Sequence, residues 1–192
     1  MLSMYYGDLV CLRAVEPADL DIVVEHFNKL ELRKFLGVPI PRSRHYLELW
    51  LGKRGSSDPW ADGLLELSIV DKHTDEFLGF VHLEHIKKPH SRAEFGISIL
   101  NPDHLSKGYG TDAIRVILWV GFNILGLHSI YLDTMAHNER AIHVYEKVGF
   151  KPVGLLRESE FLDGEYMDLL YMDILRDEFL EANSVFAVLT KA

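Results

Sequence analysis

Residues 106–115, SKGYGTDAIR, place two glycines on either side of one aromatic residue, directly before an apolar run. That run consists of Ala113, Ile114, Ile117 and Leu118, and its spacing predicts a helix that begins at the glycines. A helix N-terminus leaves backbone N–H groups unpaired and carries partial positive charge, and glycine lets a phosphate approach the backbone closely. The stretch therefore predicts either a phosphate cradle or a plain turn before a helix.

The composition is that of an ordinary globular domain. The chain has 192 residues, 48% hydrophobic and 26% charged, which predicts one domain with a sizeable core; we place it at residues 1–180, with a C-terminal tail at 181–192. The single cysteine, Cys11, excludes an intramolecular disulfide and fits a cytoplasmic protein. A net charge of −9 argues against a nucleic-acid partner. We also expect no signal peptide and no membrane span.

The order of the predicted elements indicates a mixed α/β sheet. After one strand and two helices come three strand-like runs, LLELSIVD, EFLGFVHLEHI and RAEFGISIL, whose short spacing favours an antiparallel meander. The glycine stretch and its helix follow, then the strand HSIYLDTMA, the helix NERAIHVYEKVGF and a hairpin that turns at Asp163 and Gly164. Because parallel strands need crossover connections, helices between the later strands predict a sheet of mixed direction.

The glycines also fit a second motif. Gly108, Gly110 and Ala113 spell the dinucleotide fingerprint G-x-G-x-x-A, and Asp133 stands where a ribose-binding acid would. The context argues against this interpretation, because residues 101–107 separate the glycines from the preceding strand and too few elements follow for a doubly wound sheet. The spacing excludes a Walker A loop.

Three sequence blocks carry a family resemblance. They are NPDHLSKGYGTDAIRVILWVGFNILGL, LDTMAHNERAIHVYEKVGFKPVGLLRES and DGEYMDLLYM, in that order. Together they resemble the GNAT superfamily of acetyl-CoA-dependent N-acetyltransferases, and within it the branch of ribosomal-protein N-terminal acetyltransferases and spermidine N-acetyltransferases. The resemblance runs from VCLRAVEPADLD to about Phe179. It implies a single GNAT-like domain in which an antiparallel meander joins parallel strands.

The resemblance implies acetyl-CoA as co-substrate. The family's pyrophosphate loop, Q/R-x-x-G-x-G/A, falls on residues 105–110, where both glycines match and Leu105 replaces the usual Gln or Arg. That replacement predicts either a lower cofactor affinity or compensation by Lys107. The strand before the loop is expected to splay from its neighbour and to pair with the pantetheine. The implied cofactor-binding residues are Ile97, Ser98, Ile99, Leu105, Ser106, Lys107, Gly108, Tyr109, Gly110, Thr111, Asn138 and Arg140.

Tyr145 is the general acid that the resemblance implies, protonating the departing CoA thiolate. One helical turn separates Tyr145 from Ala141 and from Gly149, so it lies on a face of small residues where a ligand could fit. A phenol is protonated at neutral pH and can donate a proton. The alternative is a tyrosine that only packs in an amphipathic helix.

The base that deprotonates the amine is predicted to be Glu84 or Glu94, on the central strands of the meander. Partial burial on a strand would raise the pKa of such a carboxyl toward a useful value. Equally, both glutamates could be surface residues whose hydrogen bonds are already satisfied. His82 or His85 could also line the acceptor site or act as the base. Residues three apart on a strand point to opposite faces. These histidines are therefore expected not to converge, and we predict no metal.

We expect an enzyme that moves acetyl directly from acetyl-CoA to a primary amine, either a protein or peptide N-terminal amine or a small amine. A polyamine is the alternative acceptor, which the mixed charges of the N-terminal third disfavour. A CoA-binding sensor or interaction module without turnover, motivated by Leu105, and a nicotinamide-dependent enzyme stay open as other classes. Free edges at the SIYLDT strand and the terminal hairpin suggest a homodimer or higher oligomer.

Overall fold

Nine strands form one sheet in the computed structural model, which describes residues 4–33, 40–183 and 189–191. The strands are β1 Met4–Tyr6, β2 Val10–Ala14, β3 Leu65–Asp71, β4 Phe77–Lys87, β5 Arg92–Ile99, β6 Ser129–Met135, β7 Lys151–Leu162, β8 Glu165–Leu175 and β9 Leu189–Lys191. The helices are α1 Leu20–His26, α2 Leu30–Arg33, α3 Arg44–Gly55, α4 Tyr109–Asn123, α5 Glu139–Val148 and α6 Arg176–Ala182. In the described ranges, no helix combines the length and apolar character needed to cross a bilayer.

The sheet joins two antiparallel parts through one short parallel pair. The strand order is β7-β8-β6-β5-β4-β3-β2-β1-β9, and β5 with β6 is the parallel pair. Their pairing runs from Arg92 with Ser129 to Glu94 with Tyr131, whereas β5 pairs with β4 as far as Ile99. The two strands therefore diverge beyond Glu94. Among the described residues, the rest of β5 has a strand neighbour on one side.

Each face of the sheet carries its own core, because successive side chains of a strand point to opposite faces. On one face Leu83 and Phe95 are buried with Ile117 of α4 and Val148 of α5. On the other face Val23 of α1 and Leu47 of α3 are buried with Phe80 of β4. The two cores hold β4 and β5 rigidly between helical layers.

The glycine stretch forms the predicted loop and helix start. Gly108 is the N-cap of α4 with a φ of 92°, a left-handed conformation that glycine adopts without strain. The apolar run that follows buries Ile114, Ile117 and Leu118. α4 ends at Asn123.

A carboxylate in the first turn of α4 ties this loop to the N-terminal strands. Asp112 accepts hydrogen bonds from the backbone N–H groups of Asp8, Leu9 and Val10 at 3.1, 2.7 and 2.9 Å. Asp112 is buried, and a negative charge is favourable at a helix N-terminus. The start of α4 is therefore fixed against β2.

Tyr109 makes a second tie, to the turn after β3. Its hydroxyl donates to Oδ2 of Asp71 at 2.6 Å, and the same carboxylate accepts from the backbone N–H groups of His73 and Thr74. The hydrogen bond from Tyr109 is the main reason why the pKa of Asp71 falls to about 2. The glycine loop is thus held by side chains that point away from it.

Two sequence interpretations change in the structure. The SIYLDT strand is β6, which lies between β5 and β8, so the expectation of a free edge there is wrong. β7 of the terminal hairpin does lie at an end of the sheet; the oligomeric state stays a prediction. The proposed boundary at residue 180 falls inside α6, and β9 pairs with β1, two strands that the sequence did not predict. The division into domain and tail stays a prediction.

Replacing Tyr109 by Phe removes the donor to Asp71, and we expect unfolding at pH 7 to need about 1 kcal/mol less free energy. The folded pKa of Asp71, about 2, lies below its ordinary 3.8. This carboxyl therefore stabilises the fold above pH 4 and loses that contribution as pH falls toward 2. Urea unfolding at pH 7 and pH 3 should show a smaller difference between the two proteins at pH 3. Tyr5→Phe serves as the control, and an equal difference at both pH values would contradict the ionic contribution.

Candidate active site

A cavity of about 1020 Å³ lies where β5 and β6 diverge. Its wall includes the glycine loop, the second half of β5, the ends of β6 and β8, and the first turns of α5. Its size is at the upper end of the range for small-molecule sites. The gap between the strands and the starts of two helices therefore face one space.

Most of the predicted loop residues line this cavity. Those on the wall are Leu105, Ser106, Gly108, Gly110 and Thr111. Lys107 and Tyr109 are absent from the wall in the ranges that the structure describes, and the Tyr109 hydroxyl binds Asp71 instead. The geometry provides a backbone cradle at a helix N-terminus, which suits a pyrophosphate. Lys107, which the sequence suggested as compensation for Leu105, is not part of this cradle in the described chain.

The open edge of β5 and the start of α5 complete the predicted cofactor wall. Ile97, Ser98 and Ile99 line the cavity beyond the point of divergence. Asn138 and Arg140 line it from the start of α5, where the Asn138 side chain caps the helix by accepting the Ala141 N–H at 3.3 Å. The structure thus brings these residues together, and their binding roles stay predictions.

Tyr145 reaches the same cavity from α5. Its ring is packed edge-on against Phe95 and Phe150, with centroids 6.1 and 5.9 Å away, and it lines the cavity wall. Burial, followed by the charge of Asp133, raises the pKa of Tyr145 to about 12. In the described ranges its hydroxyl has no hydrogen-bond partner. A fixed, protonated phenol is therefore available to a ligand.

A group of carboxylates lines the cavity near the point of divergence. Glu94 of β5, Asp133 of β6 and Glu160 of β7 are on the wall. Burial raises the pKa of Asp133, and the negative charges of Glu94 and Glu160 raise it further. Because like charges repel, this wall favours a cationic ligand. We refer to Glu94, Asp133 and Glu160 as the acidic wall.

Sequence reasoning did not find the acidic wall. It considered Asp133 only as a ribose-binding acid and did not single out Glu160. Asp133 stands opposite Tyr171, and Glu94 stands beside Tyr131, in the strand pairing. The carboxylates of β5, β6 and β7 come together only because of the way these strands pair. Their spacing along the sequence therefore does not predict the acidic wall.

The two predicted bases lie in different environments. Glu94 lines the cavity and accepts the Tyr131 hydroxyl at 3.1 Å. Glu84 is absent from the cavity wall of the described chain, and interaction with His82 is the main cause that lowers its pKa to about 2. Arg54 also lies 3.8 Å from Glu84. A carboxyl that stays ionised so strongly is a weak base, so the geometry disfavours Glu84.

A bulge in β4 separates His82 from His85. The pairing with β5 shifts between Glu84 and Lys87, and His85 has a φ of 51°. His82 lines the cavity, whereas Nδ1 of His85 lies 2.9 Å from Glu94 Oε2. Within the described ranges, potential ligand atoms of Glu84, His85 and Glu94 come within 4.8 Å of one another. These atoms already pair with protein groups, and the absence of a metal stays a prediction.

A family model describes this arrangement. The model of the acetyltransferase (GNAT) domain matches residues 10–151, and the chain belongs to this family. The predicted mixed α/β GNAT fold and the class of acetyl-CoA-dependent N-acetyltransferase are confirmed.

Individual relatives agree with this assignment. The chain is similar to spermidine N(1)-acetyltransferase of Escherichia coli, with 40% identity over 46% of this chain and 47% of that protein. It thus aligns with about half the length of that curated relative. It is also 25% identical to the uncharacterized N-acetyltransferase p20 of Bacillus licheniformis, over 85% of this chain and 90% of that protein. The crystal structure of spermidine N-acetyltransferase from Vibrio cholerae in complex with CoA and spermine has a TM-score of 0.80 and 32% identity, covering 91% of this chain and 99% of that one.

Alanine at Gly108 should damage the cradle, whereas alanine at Gly52, a glycine of α3, should not. A Cβ at Gly108 would adopt a φ of 92° and meet Leu9 at 3.0 Å, so the loop must move. We expect acetyl-CoA affinity to fall by about tenfold or more. A Cβ at Gly52 meets no atom within 4 Å, and Gly52 is not on the cavity wall of the described chain, which makes Gly52→Ala the matched control, with affinity within about threefold of the original. Calorimetric titration with acetyl-CoA, and with NAD as a negative control, measures both; equal effects of the two substitutions would contradict the cradle.

Proposed function

We propose that this protein transfers the acetyl group of acetyl-CoA directly to a primary amine in the cavity between β5 and β6. The observation that carries the proposal is the position of Tyr145 in the wall shared by the glycine loop and the open edge of β5. The loop and the start of α4 would bind the pyrophosphate, and the open backbone of β5 would pair with the pantetheine amides. The acetyl thioester then lies beside the acidic wall.

Tyr145 would act as the general acid. When the amine attacks the acetyl carbonyl and the C–S bond breaks, the thiolate needs a proton, and the phenol supplies it. A pKa of about 12 keeps the phenol protonated until that moment, and packing against Phe95 and Phe150 fixes its position. Direct transfer fits this arrangement, since it needs no acyl-enzyme nucleophile.

The acidic wall supports an acceptor that carries more than one positive charge. Glu94, Asp133 and Glu160 bring three carboxylates to the wall of the cavity. The Vibrio cholerae neighbour, whose structure contains CoA and spermine, has the same fold. We therefore propose a polycationic amine as the acceptor class, in preference to a peptide N-terminal amine with a single charge. This reverses the order of preference that the N-terminal third of the sequence suggested.

Replacing Tyr145 by Phe keeps the ring packing and removes the proton. With spermine as acceptor, we expect kcat to fall about 100-fold or more while acetyl-CoA affinity is unchanged. Tyr166→Phe, at an exposed tyrosine of the hairpin, is the control for general effects. Full turnover by Tyr145→Phe would contradict the role of Tyr145 as general acid. Binding of acetyl-CoA without turnover of any amine in the unaltered protein would favour a CoA-binding module instead.

Replacing Asp133 by Asn should weaken recognition of the second positive charge. We expect KM for spermine to rise about tenfold, and KM for benzylamine, which has one charge, to change little. Asp163→Asn in the hairpin turn is the matched control, since Asp163 has a φ of 52° that asparagine also tolerates. If the unaltered protein acetylates the N-terminal amine of a peptide more efficiently than spermine, the proposed acceptor class is wrong. The proposed acetyltransferase activity would still be supported.

A further inference from the structure

We propose that His82, rather than either of the predicted glutamates, takes the proton from the incoming ammonium group. This inference rests on the proposed transferase function and deepens it, because it assigns the base of the same site. Glu94 then helps the acidic wall to bind the cationic acceptor, and the charge of Glu84 stabilises a protonated His82.

The position of His82 carries the first part of the argument. The residue lines the cavity and lies directly opposite Gly96 in the pairing of β4 with β5. A Cβ on Gly96 would stand 2.3 Å from Nε2 of His82, so the absence of a side chain there leaves the space that the ring occupies. Gly96 lies in the part of β5 beyond the divergence, where the proposed function places the thioester. The imidazole therefore stands at the reacting end of the cavity.

Two carboxylates lie near the two ring nitrogens of His82. Oε2 of Glu66, the residue opposite His82 on β3, lies 3.8 Å from Nδ1. Oε1 of Glu84 lies 3.6 Å from Nε2. An imidazolium formed by proton uptake would be stabilised by both charges.

Arg54 of α3 balances these carboxylates. Its Nε binds Glu66, its NH2 lies 3.8 Å from Glu84, and its guanidinium lies over the ring of Trp50. Glu66 has a side chain that is only 2% exposed, and burial raises its pKa. The guanidinium therefore neutralises part of the negative charge that faces His82.

Glu94 is less suited to this step. Its Oε2 already accepts the Tyr131 hydroxyl and lies 2.9 Å from Nδ1 of the His85 ring, so that oxygen is already engaged. Histidine is the side chain whose ordinary titration range spans neutral pH. The charged and titratable groups facing His82 are Glu66 of β3, Glu84 of β4 and, through them, Arg54 of α3.

The proton balance of the reaction closes with these groups. His82 takes one proton from the ammonium, and the free amine forms the new C–N bond to the acetyl carbon. As the C–S bond breaks, the thiolate takes the proton of the Tyr145 hydroxyl. The second nitrogen proton returns to the Tyr145 phenolate, and the imidazolium releases its proton to water. The products are the amide, the CoA thiol and one proton.

The test uses spermine and acetyl-CoA with His82→Gln and His82→Ala. We expect kcat of both variants to fall about 100-fold or more at pH 7, with acetyl-CoA affinity and melting temperature unchanged. Free imidazole should restore part of the turnover of His82→Ala, because the ring site next to Gly96 is then open. The loss of kcat/KM at low pH in the unaltered protein should disappear in His82→Gln. A purely structural role would produce neither rescue nor a changed pH profile.

His90→Ala is the matched control, since His90 is exposed in the turn between β4 and β5. It should keep full turnover and show no response to imidazole. Turnover of His82→Gln within about threefold of the original, or a loss in His82→Ala that imidazole leaves unchanged, overturns the assignment. In either case an active unaltered protein leaves the proposed transferase function standing. An unaltered protein that binds acetyl-CoA and acetylates no amine overturns both.

Discussion

The early end of the pairing between β5 and β6 is the constraint on which the rest of the site depends. Glu94 with Tyr131 is the last pair, although β5 continues to Ile99 beside β4. Backbone N–H and C=O groups that lose a strand partner need another partner, so the gap is a place where a ligand with amide groups gains hydrogen bonds. The chain turns into α4 after β5 and into α5 after β6. Both helix N-termini therefore open onto the same gap.

The gap between β5 and β6 stays open because contacts outside the gap hold α4 on one side and α5 on the other. On one side, Asp112 fixes the start of α4 to the N-terminal strands and Tyr109 fixes the loop to Asp71. On the other side, the rings of Tyr145, Phe95 and Phe150 pack together between α5 and the sheet. None of these contacts closes the space between the strands. The cavity is thus built into the folded protein, so a ligand does not have to create it, and this lowers the entropy cost of binding.

The sequence predicted the parts of this arrangement that depend on local patterns. Helical spacing located the start of α4, Asp163 and Gly164 located the hairpin, and the order of motifs indicated the family. The features that the sequence did not predict depend on contacts between residues that are distant along the chain. The bulge in β4 changes which face His85 occupies, and strict alternation cannot predict a bulge. The acidic wall needs the register of three strands, and the support of His82 needs Arg54 from α3. Only the folded chain brings these residues together.

The charges of the cavity explain how an acidic protein can hold a polyanionic cofactor. The chain has a net charge of −9, Leu105 replaces the basic or amide residue that the family motif contains, and Lys107 is absent from the cavity wall of the described chain. The positive potential of the cavity then comes from the N–H groups at the starts of α4 and α5, whose partial charges act over a short range, and from Arg140 and Lys147 on its wall. The strands of the same cavity carry Glu94, Asp133 and Glu160. In the proposed reaction, the helix N-termini attract the anionic cofactor and the carboxylates attract the cationic amine, and Tyr145 and His82 line the wall of the cavity in which the two meet.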